Sequence, residues 1–297
     1  MPNNRNADRT VLVTGATGKQ GGAAARELLE RGFRVKALTR DPEKPAARRL
    51  AEQGAEVVRG DMDDPESLRP ALEDAYGVFS VQNFWETGYE REVTQGIALA
   101  ELASEIGVEH FVYSSVGSAH RETGLSHFES KWRIEERIRA LDLPYTIFRP
   151  VFFMDNWENP FLRAPIVDGT LAQPLDPDRT FQQVAVRDLG AFAGMAFDDR
   201  DAWLGRELDL AGDELTMSQI AETFGRVIGR PVQYVQLPWE KYREAAGEEY
   251  TEMYRWFELE GYDADVEMLR EIYPRLTTFE QYLRAHGWEG AGVAART

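Results

Sequence analysis

Cysteine is absent from this chain of 297 residues. The sequence therefore excludes disulfide bonds, thiolate catalysis and metal sites built from cysteine, and it is compatible with a reducing compartment. No apolar run reaches the roughly 18–20 residues that a membrane-spanning helix needs. The first ten residues are polar and lack the apolar centre of a signal peptide. We therefore expect a cytoplasmic protein without a membrane segment.

Positive charge is also scarce, because 34 Lys and Arg residues stand against 51 Asp and Glu residues, for a net charge of −17. Proteins that grip nucleic-acid backbones need a basic surface, so direct nucleic-acid binding is not expected. The few lysines are Lys19, Lys36, Lys44, Lys131 and Lys241. Histidine is rare too and shows no metal-ligand spacing, so no metal site is expected.

Short apolar runs alternate with amphipathic stretches along the first half of the chain. Strands are predicted at 10–14, 34–39, 56–59, 77–81, 110–114 and 145–149, and helices at 21–31, 45–53, 65–72, 90–106 and 128–141. Alternation of this kind predicts an α/β fold with a doubly wound parallel sheet of the Rossmann type.

The pattern changes after Pro150, where prolines at 160, 165, 174 and 177 indicate a loop-rich stretch. A mixture of short strands and aromatic-rich helices follows. We therefore predict a Rossmann domain over 8–150 plus about 182–200, and a smaller, discontinuous α+β C-terminal domain over about 151–181 plus 201–297.

A glycine-rich loop joins the first predicted strand to the first helix. Its glycines are Gly15, Gly18 and Gly21, with Thr17, Lys19 and Gln20 between them. Gly15 allows a tight turn, Gly18 lets the backbone approach a pyrophosphate, and Gly21 lets the helix pack on the strand. Since the following helix points free N–H groups at the phosphates, this loop predicts dinucleotide binding.

The end of the second predicted strand indicates which dinucleotide binds. An acidic residue there would hold the ribose 2′-hydroxyl of NAD, whereas this chain has Arg40, whose guanidinium suits the 2′-phosphate of NADP. Lys19 in the loop adds a second positive charge. The alternative for Arg40 is an ordinary surface arginine. NADP(H) is accordingly the predicted cofactor.

Further cofactor contacts are predicted where other strands end. Asp61 and Met62 follow the third strand, where Asp61 is placed to border the adenine or, alternatively, to cap a loop. Gln82 and Asn83 follow the fourth strand, where the chain passes the cofactor. After the sixth strand, Val151 and Phe153 are placed to offer backbone groups to the carboxamide.

The segments VTGATGKQGG, Thr39–Pro42, 54–61, QNFWE at 82–86, VYSS at 112–115, HFESK at 127–131 and LTTFEQYL at 276–283 resemble the NmrA-like family of atypical short-chain dehydrogenases/reductases. The resemblance covers nearly the whole chain and is closest to the subgroup that contains the human NmrA-like redox sensor. It implies a Rossmann domain, a small substrate or partner domain, a preference for NADP, and regulatory rather than catalytic function in many members.

Typical short-chain dehydrogenases use Ser, Tyr and Lys, with the Tyr four residues before the Lys. Here Ser115 matches the Ser and Lys131 the Lys, but His127 stands where the Tyr would be. This departure argues against typical alcohol dehydrogenation, although His127 can transfer protons near neutral pH. Lys131 would hold the nicotinamide ribose or act as a base. The alternatives are a strand-end serine, a helix-start histidine and a helix-surface lysine.

Two functions follow from these residues. The leading hypothesis is a redox sensor, an NADP(H)-binding regulator whose conformation or protein partner responds to the NADPH level. The alternative is an NADPH-dependent reductase of a quinone, a dye or another small flat carbonyl compound, with His127 and Lys131 at its centre. The sequence leaves both open, and with them the question of whether the chain is an enzyme.

Overall fold

The structure is a computed structural model that describes residues 6–291. The last residues of the predicted C-terminal domain, 292–297, lie outside the described residues. The strands are β1 (Thr10–Val13), β2 (Arg34–Thr39), β3 (Glu56–Arg59), β4 (Gly77–Ser80), β5 (His110–Ser114), β6 (Tyr145–Pro150), β7 (Phe152–Phe153), β8 (Thr170–Gln173), β9 (Thr180–Val184), β10 (Glu207–Leu210), β11 (Asp213–Thr216) and β12 (Gln233–Gln236).

The α-helices are α1 (Lys19–Glu30), α2 (Pro45–Glu52), α3 (Arg69–Leu72), α4 (Phe84–Ile106), α5 (Ser126–Ala140), α6 (Pro160–Val167), α7 (Val186–Asp198), α8 (Arg200–Trp203), α9 (Met217–Ile228), α10 (Trp239–Ala246), α11 (Glu248–Leu259), α12 (Val266–Ile272) and α13 (Phe279–Ala285). Short 3-10 helices occupy Pro65–Leu68, Ala119–Arg121 and Met154–Glu158.

The chain divides into two units. The first contains residues 1–150 and 186–208, and the second contains residues 151–185 and 209–297. The return of the chain to the first unit thus spans 186–208, compared with the predicted interval of about 182–200. Each unit is described separately below.

The first unit is built on a seven-stranded sheet in the order β10-β6-β5-β4-β1-β2-β3. The pairs from β3 to β6 are all parallel. The strand order reverses next to β1, because β2 lies on one side of it and β4 on the other. This is the doubly wound topology that the β-α alternation predicts, so the predicted fold class is confirmed.

The central strands are buried on both faces, which explains why their apolar residues follow one another instead of alternating with exposed polar ones. Leu12, Phe111 and Tyr113 belong to a core cluster that includes residues of α4 and α5. On β6, Phe148 contacts Phe192 of α7 with ring centroids 5.9 Å apart. The side chains on each face of the sheet therefore pack against helices, and this core positions the carboxyl ends of the strands.

The second unit contains a three-stranded sheet in the order β11-β9-β7 and a parallel pair of β12 and β8. Its core is aromatic, with Phe224 in ring contact with Trp157, Phe279 and Trp288. The loop predicted around Pro160 and Pro165 is wrong in part, because α6 forms there. Pro160 occupies the first turn, where its missing N–H costs nothing, and the side chain of Asn159 accepts the N–H of Phe161.

Candidate functional site

The glycine loop lies between the end of β1 and the start of α1. Gly15 has a positive φ of 57°, which glycine adopts without strain. A Cβ atom on Gly21 would stand 2.4 Å from the carbonyl oxygens of Thr14 and Gly15, so only glycine allows α1 this close to the strand. Gly18 caps α1 without a side chain, and the first turn of α1 contains no acidic residue. This helix end is therefore suited to an anion.

Side chains also tie this loop to the ends of β4 and β5. Thr14 Oγ1 donates to the carbonyl oxygen of Val81 at 3.0 Å and accepts the N–H of Val81 at 2.8 Å. Gln20 Oε1 accepts a hydrogen bond from Ser114 Oγ at 2.7 Å. The ends of β1, β4 and β5 are thereby held in register at one edge of the sheet.

Arg40 follows β2 and is exposed, and its guanidinium donates a hydrogen bond to Glu86. That carboxylate raises the pKa of Arg40, while the guanidinium lowers the pKa of Glu86. Asp61 and Asp63 add further negative charge near Arg40. The predicted phosphate-binding arginine thus lies among three carboxylates.

Asp61 Oδ1 accepts the N–H of Asp63 at 3.1 Å, and Asp61 N–H donates to Ser67 Oγ at 2.9 Å. These contacts are those of the loop-capping alternative, and they leave the predicted role beside the adenine a prediction. Met62 is half-buried, and its sulfur lies 3.9 Å from Gln82 Nε2. The segments that follow β3 and β4 therefore touch at this point, although β1 and β2 lie between the two strands in the sheet.

Gln82 and Asn83 lie directly after β4. Gln82 is buried and donates to Ser80 Oγ at 3.0 Å, whereas its Oε1 has no hydrogen-bond partner among residues 6–291. Asn83 is exposed and precedes the first residue of α4. An unsatisfied buried acceptor costs free energy, so Gln82 Oε1 is suited to a ligand N–H.

The helix predicted over 90–106 matches the regular part of α4, and the structure adds a turn before it that begins at Phe84. Gly88 interrupts it with φ 76° and ψ 175°, which separates a first turn, residues 84–87, from the rest of α4. In that turn the N–H groups of Glu86 and Thr87 both donate to the carbonyl oxygen of Asn83 at 3.1 Å. The 83–87 segment has no apolar periodicity, which is why the sequence pattern does not reveal it.

The first turn of α4 brings two aromatic rings to His127 near the start of α5. The centroid of the His127 ring lies 5.1 Å from that of Trp85 and 5.6 Å from that of Phe84. His127 is 6% exposed, whereas Trp85 is 51% exposed. We call Phe84, Trp85 and His127 the aromatic ledge. It offers a partly open, flat surface beside a histidine.

Lys131 lies one helical turn after His127 on α5, so the two side chains share a face. Lys131 is buried, and its Nζ is 2.9 Å from Glu92 Oε1 and 3.4 Å from the carbonyl oxygen of Gln82. Glu92 is fully buried and also accepts a hydrogen bond from Ser130. An ammonium has three N–H donors. Two have acceptors within residues 6–291, and the third remains available to a ligand.

Ser115 follows β5 and is 2% exposed, and its Oγ has no hydrogen-bond partner in the described part of the chain. Its backbone N–H donates to the carbonyl oxygen of Phe148 at 2.8 Å. The backbone of Ser115 is thus fixed by this bond, whereas its buried hydroxyl keeps hydrogen-bonding capacity that suits a ligand.

The structure brings most of the predicted site residues together at one edge of the first unit's sheet. Val151 and Phe153 belong to the second unit, where Val151 is buried and Phe153 of β7 pairs with Val184 of β9. Their predicted contacts with the carboxamide stay a prediction. Glu86 and Glu92 belong to this site but are not among the site residues predicted from the sequence. Glu92 had a signal, since it shares a helix face with the buried residues Gln95, Gly96 and Leu99.

Over residues 6–291 no helix is both long and apolar enough to cross a membrane. Within the same residues, no group of three or more His, Asp or Glu side chains is arranged to hold a metal ion.

Comparison with known proteins gives matches along nearly the whole chain. A model of the NmrA-like family matches residues 7–283. An NmrA-like family domain-containing protein of Dictyostelium discoideum is 28% identical over 93% of this chain and 97% of its own length. An NmrA-like family domain-containing oxidoreductase of Aspergillus hancockii is 32% identical over 79% of this chain and 77% of its own. An NAD(P)H azoreductase of Xenophilus azovorans is 28% identical over 79% of both chains.

Two solved structures share the fold. NmrA, a negative transcriptional regulator in complex with NADP, gives a TM-score of 0.78 at 22% identity, covering 95% of this chain and 99% of the other. The triphenylmethane reductase of Citrobacter sp., complexed with NADP(H), gives a TM-score of 0.80 at 22% identity, covering 93% of this chain and 99% of the other.

Proposed function

The chain belongs to the NmrA-like family, and we propose that it is a cytoplasmic NADP(H)-dependent oxidoreductase that reduces flat conjugated acceptors such as quinones and dyes. The observation that carries this proposal is the aromatic ledge. Trp85 is a large, half-exposed ring that is tilted by 43° from the ring of His127 at a centroid distance of 5.1 Å, and His127 is one helical turn from Lys131. A flat acceptor that stacks on Trp85 would lie next to a proton donor and next to the predicted ribose-binding lysine.

The residues at the sheet edge fit a dinucleotide. Gly18 leaves the N-terminus of α1 open to a pyrophosphate, and Arg40 supplies a fork for a 2′-phosphate. Lys131 would donate its remaining N–H to the nicotinamide ribose. The buried oxygens of Ser115 and Gln82, which lack partners among residues 6–291, would hydrogen-bond to the same end of the cofactor.

When bound, NADPH would supply a hydride, which carries two electrons and one hydrogen to the acceptor. A quinone that accepts this hydride takes up one proton and becomes the hydroquinone. His127 is placed to donate that proton, and its surroundings limit access of water because its ring is packed by Phe84, Trp85 and Phe128. Glu92 would hold Lys131 in position through the buried ion pair.

Support for this choice comes from relatives. The Xenophilus azovorans relative is an NAD(P)H azoreductase, and the Citrobacter structure is a triphenylmethane reductase. Both names refer to reduction of dyes, which present extended aromatic systems to a binding surface. The aromatic ledge is the part of this chain that would accept such a molecule.

The test is turnover of a panel of quinones, azo dyes and triphenylmethane dyes with NADPH, followed at the nicotinamide absorbance. We expect Lys131→Ala to lower kcat/KM by about 100-fold or more, and Trp85→Ala to raise KM mainly. Trp132→Ala, on the same helix as His127 but outside the aromatic ledge, is the matched control and should act like the parent. Measurable NADPH binding without turnover of any panel member would refute the reductase.

Cofactor choice is tested separately by binding. Arg40→Ala should weaken NADPH by about 10- to 100-fold, the value of one to two charge-assisted hydrogen bonds, and leave NADH nearly unchanged. If the variant keeps a strong NADPH preference, Arg40 does not bind the 2′-phosphate.

A second function is favoured by one observation. The first turn of α4 is separated from the rest of that helix by Gly88 and is joined to Arg40 through Glu86. A redox sensor, of the kind found in the subgroup that the sequence resembles, could use such a turn to report cofactor binding to a protein partner. Its signature would be NADPH-dependent protection of residues 83–90 from hydrogen exchange in a protein that turns over no panel member.

A further inference from the structure

The guanidinium of Arg40 already has an anionic partner. Arg40 donates to Glu86, and both side chains are 52% exposed, so the pair lies at the surface of the first unit rather than in its core. A surface ion pair of this kind is weak and exchanges readily with a stronger anion. The same guanidinium is the group expected to take the 2′-phosphate of NADP(H).

The other carboxylates near Arg40 are held by different partners. Asp63 is paired with Arg91 and accepts from Gln95 at 2.6 Å. Asp61 caps the loop after β3 through the N–H of Asp63. Neither is therefore placed to exchange with a ligand as Glu86 is.

We propose that Glu86 is a specificity-determining residue, which competes with the 2′-phosphate of NADP(H) for Arg40 and moves away when that phosphate binds. This inference rests on the proposed function, because it requires Arg40 to bind the 2′-phosphate. The 2′-hydroxyl of NAD(H) carries no charge and has no reason to displace a carboxylate from an arginine. Glu86 therefore lowers the affinity for the phosphorylated cofactor and leaves that for NAD(H) nearly unchanged, so it limits the preference for NADP(H) that Arg40 provides.

Two electrostatic effects separate Glu86 from Arg40 when the 2′-phosphate binds. A 2′-phosphate with nearly two negative charges binds a guanidinium through a fork of hydrogen bonds and takes the donors that Glu86 uses. Once the phosphate is in place, Glu86 would be a like charge within a few ångströms of it, which disfavours the original geometry. Binding of the phosphate and the Arg40–Glu86 contact thus exclude each other.

Displacement of Glu86 has a structural consequence because of where this residue lies. It belongs to the separate first turn of α4, and Trp85 in the same turn contacts His127. Gly88, with its non-helical conformation, is the joint about which that turn can move without disturbing the rest of α4. The ribose phosphate and the aromatic ledge are thereby coupled through three consecutive residues, 84–86.

The experiment measures the dissociation constants of NADPH and NADH for the parent, Glu86→Gln and Arg40→Ala, and the corresponding double variant. We expect Glu86→Gln to tighten NADPH by about three- to tenfold, since it removes a competing surface ion pair and a like charge, and to change NADH less than about twofold. Arg40→Ala should abolish the effect of Glu86→Gln. Glu90→Gln, an exposed glutamate beyond Gly88, is the control for the change in net charge and should alter neither constant.

The coupling is tested with adenosine 2′,5′-bisphosphate, which carries the 2′-phosphate but no nicotinamide to absorb tryptophan emission. It should change the tryptophan fluorescence of the parent and of Glu90→Gln, whereas 5′-AMP should not, and Trp85→Phe should remove the response. No response to the bisphosphate at saturation would overturn the coupling.

The outcomes separate this inference from the proposed function. If Glu86→Gln leaves NADPH affinity unchanged while Arg40→Ala lowers it, the competition by Glu86 is refuted and the cofactor assignment stands. If the parent binds neither nucleotide, both are refuted. If Arg40→Ala keeps the NADPH preference, Arg40 does not bind the 2′-phosphate, and this inference is refuted while the proposed reductase stands.

Discussion

Helix α5 carries two buried ionic clusters one turn apart, and they differ in how many of their hydrogen-bond donors have acceptors. The lysine cluster joins Lys131 and Ser130 to Glu92 of α4. The arginine cluster joins Glu135 of α5 to Arg149 of β6, with Arg139 and Glu207 around them. Both bury a carboxylate completely, since Glu92 and Glu135 are each 0% exposed.

The arginine cluster is saturated. Glu135 accepts from Arg149 at 2.9 and 2.6 Å and from Arg139 at 2.6 Å, and Glu207 accepts from both arginines and from Tyr145. Planar guanidinium forks match carboxylates so well that few donors remain. In the lysine cluster, by contrast, one N–H of the Lys131 ammonium has no acceptor among residues 6–291. The comparison indicates that the arginine cluster holds α5 to the sheet, whereas the lysine cluster is the one for which we propose a bound ligand.

The largest expected effect tests the structural half of this comparison. Glu135→Ala leaves the guanidinium of Arg149 buried without its main partner, which should lower the free energy of unfolding by about 3–5 kcal/mol. Chemical denaturation followed by circular dichroism measures this. Glu136→Ala, the exposed neighbour on the same helix, should cost less than about 0.5 kcal/mol. A loss below about 1 kcal/mol for Glu135→Ala would show that the arginine cluster does not hold the fold.

The next effect separates the stability and the function of the lysine cluster. Lys131→Met leaves Glu92 buried and unpaired and should cost about 3 kcal/mol, because breaking one partner of a buried pair is destabilising. Lys131→Met combined with Glu92→Leu replaces the pair by apolar groups and should regain most of that stability. Cofactor binding and turnover should stay lost in both variants.

Recovery of cofactor binding in that double variant would contradict the ligand role of Lys131. Failure to recover stability would instead show that the lysine cluster, like the arginine cluster, has a mainly structural role.

The fold could be predicted from the sequence because its signals are local. Each central strand is a short apolar run that is followed by a helix, and the glycine loop marks the crossover from β1 to α1. The first turn of α4 was not predictable in this way. Residues 84–87 have no helical periodicity, and Gly88 separates them from the regular part of the helix. Their geometry depends on contacts with His127 and Arg40, which lie about 40 positions away along the chain.

The site residues likewise divide into those that the sequence predicts and those that it does not. Lys131, His127 and Ser115 could be proposed because their spacing resembles a known pattern, and the structure places two of them on one face of α5 and the third after β5. Their partners could not be proposed. The helix face of Glu92 indicates that it is buried, but only tertiary structure shows that Glu92 faces Lys131 and that Glu86 faces Arg40.

A smaller effect tests whether the hydroxyl in the lysine cluster positions Glu92. Ser130→Ala removes a buried O–H donor from that carboxylate and should cost about 2 kcal/mol, the usual value for a hydrogen bond to a charged group. Since Glu92 also holds Lys131, we expect NADPH affinity to fall several-fold in a binding titration. Ser126→Ala, at the exposed first residue of α5, is the matched control. Loss of stability without any loss of affinity would mean that Glu92 and the ligand-binding ammonium are not coupled.

The smallest effect uses pH to compare the clusters. Burial alone would raise the pKa of Glu207, but the hydrogen bond from Arg139 and the charge of Arg149 outweigh it and lower the pKa from 4.5 to about 2. Because the folded-state pKa is the lower one, the stability contributed by Glu207 is complete above about pH 5 and is lost as the pH falls towards 2. The difference in unfolding free energy between the parent and Glu207→Gln should therefore shrink by roughly 1 kcal/mol between pH 6 and pH 3. This value is smaller than about 1.4 kcal/mol for each unit of pKa shift, because Glu207 is partly exposed and solvent screens its charge. Glu136→Gln should show no such change. A difference that is constant over this range would mean that Glu207 is not held by the two arginines. The arginine cluster would then consist of Glu135 and its partners alone, and its hydrogen-bond donors would be no more fully paired than those of the lysine cluster.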